Sequence, residues 1–157
     1  MSKKLKSRTC NIAPTLKRKH PNAIINLEKL DGLLHNGLTL RSTKKCRYLT
    51  VGDWYDNTVE AAEHDDPRAT LAVIVHELVE YVLCAMNGIS AAEVDEEDWK
   101  MLCGKKKYNQ LCYWRFHLKA LAVERAVINA LGLSWPQHEK LVEKAYRKQE
   151  KLVGATK

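Results

Sequence analysis

The chain has 157 residues, of which 45% are apolar, and this is enough for one folded domain with a single hydrophobic core. Basic residues outnumber acidic ones by 26 to 19, but residues 1–47 hold 12 basic and 2 acidic residues (+10), whereas residues 48–157 hold 14 and 17 (−3). This composition excludes a wholly disordered chain and a uniformly basic protein, and it predicts a nearly neutral body with a basic N-terminal segment.

The N-terminal segment, residues 1–22, contains two prolines and no sustained hydrophobic period, so we predict a flexible arm ahead of a single domain over residues 23–157. The arm lacks the apolar stretch of a secretory signal, and the five cysteines form no CxxC pair, so we expect a reduced, cytoplasmic protein. Its charge is suited to nucleic acid or an acidic protein, with a solvated tail as the alternative. No aromatic residue precedes Tyr48, so the arm offers no ring on which bases stack.

Short apolar runs separated by glycines follow the arm. Residues 47–51 (RYLTV) have the composition of a strand, and Gly32, Gly37 and Gly52 mark turns. We therefore predict a short β-ribbon before the helices.

Helix-capping residues then recur along the chain. Asp66, Ser90 and Ser134 are suited to N-caps, and Gly88 and Gly132 are suited to helix ends. The predicted fold is mainly α, with a small β part (α+β). It has two long packed helices (residues 67–87 and 111–131), a shorter acidic helix between them and a third C-terminal helix at the surface.

The first long helix is apolar on nearly every side between Leu71 and Met86, which is typical of a buried helix. His76, Glu77 and Glu80 interrupt it, and all three fall within an arc of roughly 100°. For this reason we expect no membrane span. Unpaired buried charges cost several kcal/mol each, so a cation, a basic side chain or a water-filled cleft must face the arc.

The second long helix carries a matching pair. His117 and Glu124 are seven residues apart, so they lie within about 20° of each other in the apolar stripe of that helix. Facing helices commonly build metal sites from His and Glu, and we predict one shared interior site. The alternative is a buried ion-pair network with Arg68, Arg115 or Arg125 as the cation.

His76 opens the pattern HELVE, an HExxE sequence that resembles the HExxH signature of zincin-like metallopeptidases. The resemblance implies His76 and Glu80 as metal ligands and Glu77 as general base, with a third ligand from His117 or Glu124. Seven helical residues rise about 10 Å, so one of the last two would bind and the other would orient it, unless two metals use all four. The implied cofactor is a divalent metal, zinc first and iron or manganese as alternatives.

A longer pattern, VHELVEYVLCAMNGISAAEVD and then HLKALAVERAVINALGLSW, resembles a group of small phage and prophage proteins over roughly residues 48–140. The resemblance implies a phage-type metalloprotein of the bacterial cytoplasm and, if it is an enzyme, a metal-dependent peptide hydrolase. Glu80 replaces the second zincin histidine, and its charge would lower the Lewis acidity of a bound zinc. Two other hypotheses stay open: a non-catalytic module that binds nucleic acid or protein, and a metal-dependent phosphohydrolase.

The remaining polar residues are expected to be structural. Cys84 is expected to be a small buried thiol, and the acidic run over residues 95–98 an exposed helix face. No role is assigned to the other histidines: His20, His35, His64 and His138.

Overall fold

A computed structural model describes residues 36–154. The elements in chain order are β1 (Thr39–Thr43), β2 (Gly52–Tyr55), β3 (Thr58–Ala62), α1 (Pro67–Met86), α2 (Ala91–Leu102), α3 (Trp114–Ala130) and α4 (Trp135–Gly154). The mainly α (α+β) fold with a small sheet ahead of the helices is therefore confirmed. The predicted arm over residues 1–22, and with it the proposed contact with nucleic acid or an acidic protein, lies outside the described residues.

The three strands form one sheet in the order β1–β3–β2. The central strand β3 is parallel to β1 and antiparallel to β2, and β2 joins β3 through a tight turn in which Asp56 has a φ of 48°. Aspartate tolerates this left-handed conformation better than most residues do. Val59 and Ala61 of β3 are fully buried because α1 packs across the sheet.

The strand predicted over residues 47–51 is wrong, because this segment is bent and the strand begins only at Gly52. Side chains fix the bends: Arg47 Nε donates to Asp53 Oδ2 at 2.7 Å, and Thr50 Oγ1 donates to the Gly52 carbonyl at 2.6 Å. Such local side-chain bonds compete with the pairing that a strand needs.

Helix α1 is the centre of the fold and packs between the sheet and α3. Asp66 caps its start by accepting from the backbone N–H of Arg68 at 2.9 Å, and Gly88 follows its end with a φ of 73°. Among the described helices it is the one long and apolar enough to cross a membrane, a property that the core helix of a soluble protein shares. Cys84 is fully buried in the core beside Trp54, as predicted.

Ser90 caps α2 by accepting from the Glu93 N–H, and Gly132 follows α3 with a φ of 74°, both as predicted. Ser134 precedes α4, where its backbone N–H donates to the Gln137 side chain.

Two helices differ in detail from the prediction. Helix α3 begins at Trp114 rather than residue 111, because residues 108–110 form a turn of 3₁₀-helix. Helix α4 lies at the surface as predicted, yet one face is buried through His138, Ala145 and Gln149. The Gln149 amide accepts from the backbone N–H of Cys46 and donates to the Lys44 carbonyl, each at 3.0 Å, which ties α4 to the segment after β1.

Candidate metal centre

Helices α1 and α3 bring three ligand atoms to one point. His117 Nδ1 lies 2.9 Å from Glu80 Oε2 and 3.1 Å from His76 Nε2, and the last two atoms are 3.8 Å apart. His76 and Glu80 are buried, whereas the His117 side chain is 29% exposed. The three residues are therefore a group that could hold a metal ion, as the sequence predicted for each of them.

The fourth predicted ligand, Glu124, lies on the opposite side of the His76 ring. Its Oε2 atom is 2.8 Å from His76 Nδ1, away from the three converging atoms. A carboxylate only accepts, so Nδ1 of His76 carries a proton and donates, and Nε2 is the ring atom directed at the group. Glu124 therefore orients His76, and His117, not Glu124, is the third residue of the group.

His138 of α4 extends this network, although sequence reasoning assigned it no role. Its Nε2 atom donates to Glu124 Oε1 at 2.6 Å, and its side chain is only 1% exposed. The ring also packs on Trp135, with 5.1 Å between the ring centroids. The signal that could have found it is the spacing of His138, Val142 and Ala145, which marks the inward face of α4.

Opposite charges dominate the electrostatics around His76. Burial alone would lower the pKa of His76, but its bonds to Glu124 and Glu80 raise the pKa to about 10. Burial alone would likewise raise the pKa of Glu80, yet the bonds with His117 and His76 lower it to about 2. Trp54 Nε1 donates to Glu80 Oε1 at 3.4 Å, which leaves Oε2 for the two histidines. The group thus favours an ionised carboxylate facing imidazole nitrogens.

Glu77, the predicted general base, differs from its neighbours on α1. Within the described part of the chain its carboxylate has no hydrogen bond or ion pair, and burial together with the nearby Glu80 charge raises the pKa of Glu77 well above its ordinary value. It packs directly against Gly52 of β2, where a methyl group would stand 2.3 Å from Glu77 Oε1. The absence of a side chain at Gly52 therefore leaves the space that Glu77 occupies.

Aromatic rings hold His117 at the mouth of the site. Its ring stacks on Trp114 of the same helix, with 5.3 Å between centroids and 18° between planes. Tyr108 lies on the N-terminal side, 6.4 Å from the same ring. These contacts restrict the ring so that Nδ1 stays directed at Glu80.

The arginines of the alternative ion-pair network lie elsewhere in the described structure. Arg68 pairs with Asp66, Arg115 lies over the ring of Phe116, and Arg125 lies over the ring of Trp135. The imidazole and carboxylate groups of the site are thus bonded to one another and not to a guanidinium group.

A cleft with two lobes opens beside the site. The lobe next to α4 (the α4 lobe) has a volume of about 440 Å³, and the lobe next to α2 (the α2 lobe) has about 350 Å³. Glu77 and His117 line both lobes, as do Tyr108, Gly52 and Tyr146. A molecule bound in the cleft would therefore contact Glu77 and His117, with one lobe on each side of these two residues.

No protein-family model, curated protein or solved structure matches this chain.

Proposed function

We propose that His76, Glu80 and His117 hold one divalent metal ion, with zinc as the first candidate, in a zincin-like site that hydrolyses peptide bonds. The edges of the ligand triangle, 2.9, 3.1 and 3.8 Å, carry this proposal. Ligands at 2.0–2.1 Å from a tetrahedral zinc stand about 3.3 Å from one another, close to the mean of these edges. The triangle leaves a fourth position open, as catalytic zinc sites do.

The donor set supports the same class of site. Two imidazoles and one glutamate form one of the known catalytic zinc sets, and two histidines with a carboxylate also hold Fe(II). The Glu124 bond to His76 Nδ1 at 2.8 Å is the outer carboxylate that metal-binding histidines usually have. Iron therefore stays the main alternative to zinc.

Each residue then has a role in hydrolysis. The bound ion would supply Lewis acidity to water and to the substrate carbonyl oxygen. Glu77 accepts the proton of the attacking water and passes it to the leaving amine. Its raised pKa, caused first by burial, brings a carboxylate closer to the range in which a general base works. Because Gly52 has no side chain, the Glu77 side chain has room to lie against the strand.

The cleft favours a peptide over a phosphorylated substrate. Neither lobe is lined by Lys or Arg from the described residues, and each is lined by several carboxylates. A phosphoryl group would meet no Lys or Arg side chain there and would be repelled by the carboxylates of Asp98 and Glu139. The peptidase form of the proposal is for this reason preferred to a phosphohydrolase.

Metal content tests the site independently of activity. We expect about one zinc or iron atom for each chain in elemental analysis of purified protein, and loss of that atom in His117→Ala and Glu80→Ala. Glu139→Ala, which removes an exposed carboxylate at the rim of the α4 lobe, is the matched control and should keep its metal. A metal content independent of His117 and Glu80 would contradict the site.

Glu77→Gln tests the reaction. This variant should keep the metal and the fold but lose hydrolysis of an unstructured protein such as casein by at least about 100-fold. If the metal-loaded wild type cleaves no peptide bond at all, the site is a structural metal centre and the catalytic part of the proposal fails.

A further inference from the structure

The α2 lobe combines an apolar wall with negative charge. Helix α2 lines it with Val94, Met101 and Leu102, and aromatic rings form much of the remaining wall. No lysine or arginine from the described residues lines this lobe. Three carboxylates do so: Asp53, Asp98 and Glu77.

Two of these carboxylates differ in how they are neutralised. Asp53 is buried and pairs with Arg47, whose Nε lies 2.7 Å from Asp53 Oδ2. Asp98 instead accepts from two neutral phenols: Tyr48 Oη donates to Oδ2 at 3.0 Å, and the Tyr113 hydroxyl donates to Oδ1. Each oxygen of Asp98 therefore keeps accepting capacity, and its charge has no cationic partner among these contacts.

A second carboxyl group lines this lobe without a cationic partner. Glu77 lines the same lobe and has no hydrogen bond or ion pair in the described structure. The carboxylate of Asp98 has no cationic partner in a largely apolar cavity, which is costly, so the lobe is suited to a ligand that brings a positive charge.

We propose that the α2 lobe binds the positively charged side chain of a Lys or Arg residue in the peptide substrate, with Asp98 as its counter-ion. This inference rests on the peptide hydrolysis proposed above. The hydrocarbon stem of such a side chain packs on Met101 and Leu102, and its charged end reaches Asp98. Glu77 and His117 also line the lobe, so the bound residue adjoins the bond to be cleaved.

The charge on Asp98 depends on pH. Burial raises the pKa of Asp98 to about 6, the Tyr113 and Tyr48 hydroxyls oppose the rise, and the charges of Glu80 and Asp53 add to it. Glu77 of α1 and Tyr108 also face this carboxylate. Asp98 becomes ionised as the pH rises through about 6, so the preference for a cationic side chain grows over the same range.

Matched peptides test the proposal. Peptides that differ only in a Lys, norleucine or Glu beside the cleaved bond are compared by kcat/KM with the zinc-loaded protein. We expect the Lys peptide to exceed the norleucine peptide at least about tenfold and the Glu peptide to be poorest. Asp98→Asn should abolish the preference for Lys, so that its kcat/KM values for the Lys and norleucine peptides agree within about threefold.

Glu96→Gln is the matched control. Glu96 lies on the same helix but is exposed and pairs with Lys100 at 2.6 Å, outside the lobe. This variant should keep the full preference for Lys. Metal content and thermal unfolding of Asp98→Asn, measured alongside, separate a change in preference from a change in fold. Loss of preference in Glu96→Gln as well would point to general surface charge and would overturn the assignment to Asp98.

A binding measurement separates this inference from the peptidase proposal. The zinc-loaded wild type is titrated with Nα-acetyl-lysine amide and with Nα-acetyl-norleucine amide. In the first compound the side chain is charged and the α-amine is blocked. Lysine-selective binding without any peptide cleavage would retain the subsite and refute peptidase activity. Cleavage without a preference for Lys or Arg would retain the activity and overturn the subsite.

Discussion

The two nitrogens of the His76 ring face two different regions of the molecule. On the closed side, which consists of Glu124 and His138, every bond is buried and lies between 2.6 and 2.8 Å, and only the α4 lobe of the cleft reaches these residues. On the open side, which consists of Glu77, His117 and Gly52, the groups line both lobes of the cleft, and Glu77 has no bonded partner in the described structure. On the proposed function, the closed side fixes one geometry, and the open side receives the ion and the substrate. Substitutions on the two sides should therefore have different effects.

The largest effect is expected from Glu124→Ala on the closed side. It leaves the donors of His76 and His138 unpaired in a buried site, and we expect the free energy of unfolding to fall by about 3–5 kcal/mol. Urea denaturation of the metal-free protein measures this loss. Glu139→Gln should change stability by less than about 0.5 kcal/mol, because Glu139 is exposed and a glutamine oxygen can still accept from Trp135 Nε1. A similarly small loss in Glu124→Ala would erase the distinction between the two sides.

His138→Gln comes next, because it acts through Glu124 and not through the ligand atoms. Weaker positioning of Glu124 should lower zinc affinity by about 10–100-fold while the metal stoichiometry at saturation stays at one. Competition with a chromogenic chelator measures this affinity. His138→Asn, whose shorter amide does not reach Glu124, should lose more affinity than His138→Gln, whereas equal losses would indicate a purely structural role.

Gly52→Ala tests the open side. The added methyl group would overlap Glu77, so that carboxylate must move while the three ligand atoms stay in place. We expect kcat to fall at least about tenfold with an unchanged zinc affinity. Ser42→Ala, an exposed position in β1, provides the comparison and should leave both quantities unchanged. A parallel fall in zinc affinity would mean that Gly52 supports the fold more than it supports Glu77.

The smallest effect is expected from Trp114→Leu. Removing the ring that stacks on His117 loosens one ligand at the mouth of the site and leaves the closed side intact. Zinc affinity should fall by less than about tenfold, and the dissociation rate of zinc should rise, as measured by chelator-induced release. An affinity loss as large as that of His138→Gln would show that the open side also fixes the geometry.

The sequence predicts the ligand group better than it predicts the surroundings of that group. His76, Glu80 and His117 follow from polar residues on two otherwise apolar helix faces, and the structure brings them together. The role of Glu124 could not be decided from the sequence. Helical spacing gives the direction in which Glu124 points around its own helix axis, but not its position along that axis relative to a second helix. The structure places Glu124 beside His138, one turn into a helix that was expected to lie at the surface.

The cleft was harder to predict for a related reason. Asp98 lies in an acidic run that is typical of an exposed helix face, and the hydroxyls of Tyr48 and Tyr113 turn it inward. The contact between Gly52 and Glu77 joins a strand to a helix 25 residues later, and no local pattern encodes it. Such features depend on tertiary packing, which propensity and periodicity do not describe.

The most direct measurement of the central claim is the X-ray absorption spectrum of the zinc-loaded protein. We predict one zinc bound by two imidazole nitrogens, from His76 and His117, and by oxygen ligands that include Glu80, all at about 2.0–2.1 Å. His117→Ala, which should lose its metal on purification, is reloaded with excess zinc, and its spectrum should then show about one imidazole instead of about two. A spectrum with oxygen ligands alone, or one that His117→Ala leaves unchanged, would contradict the account.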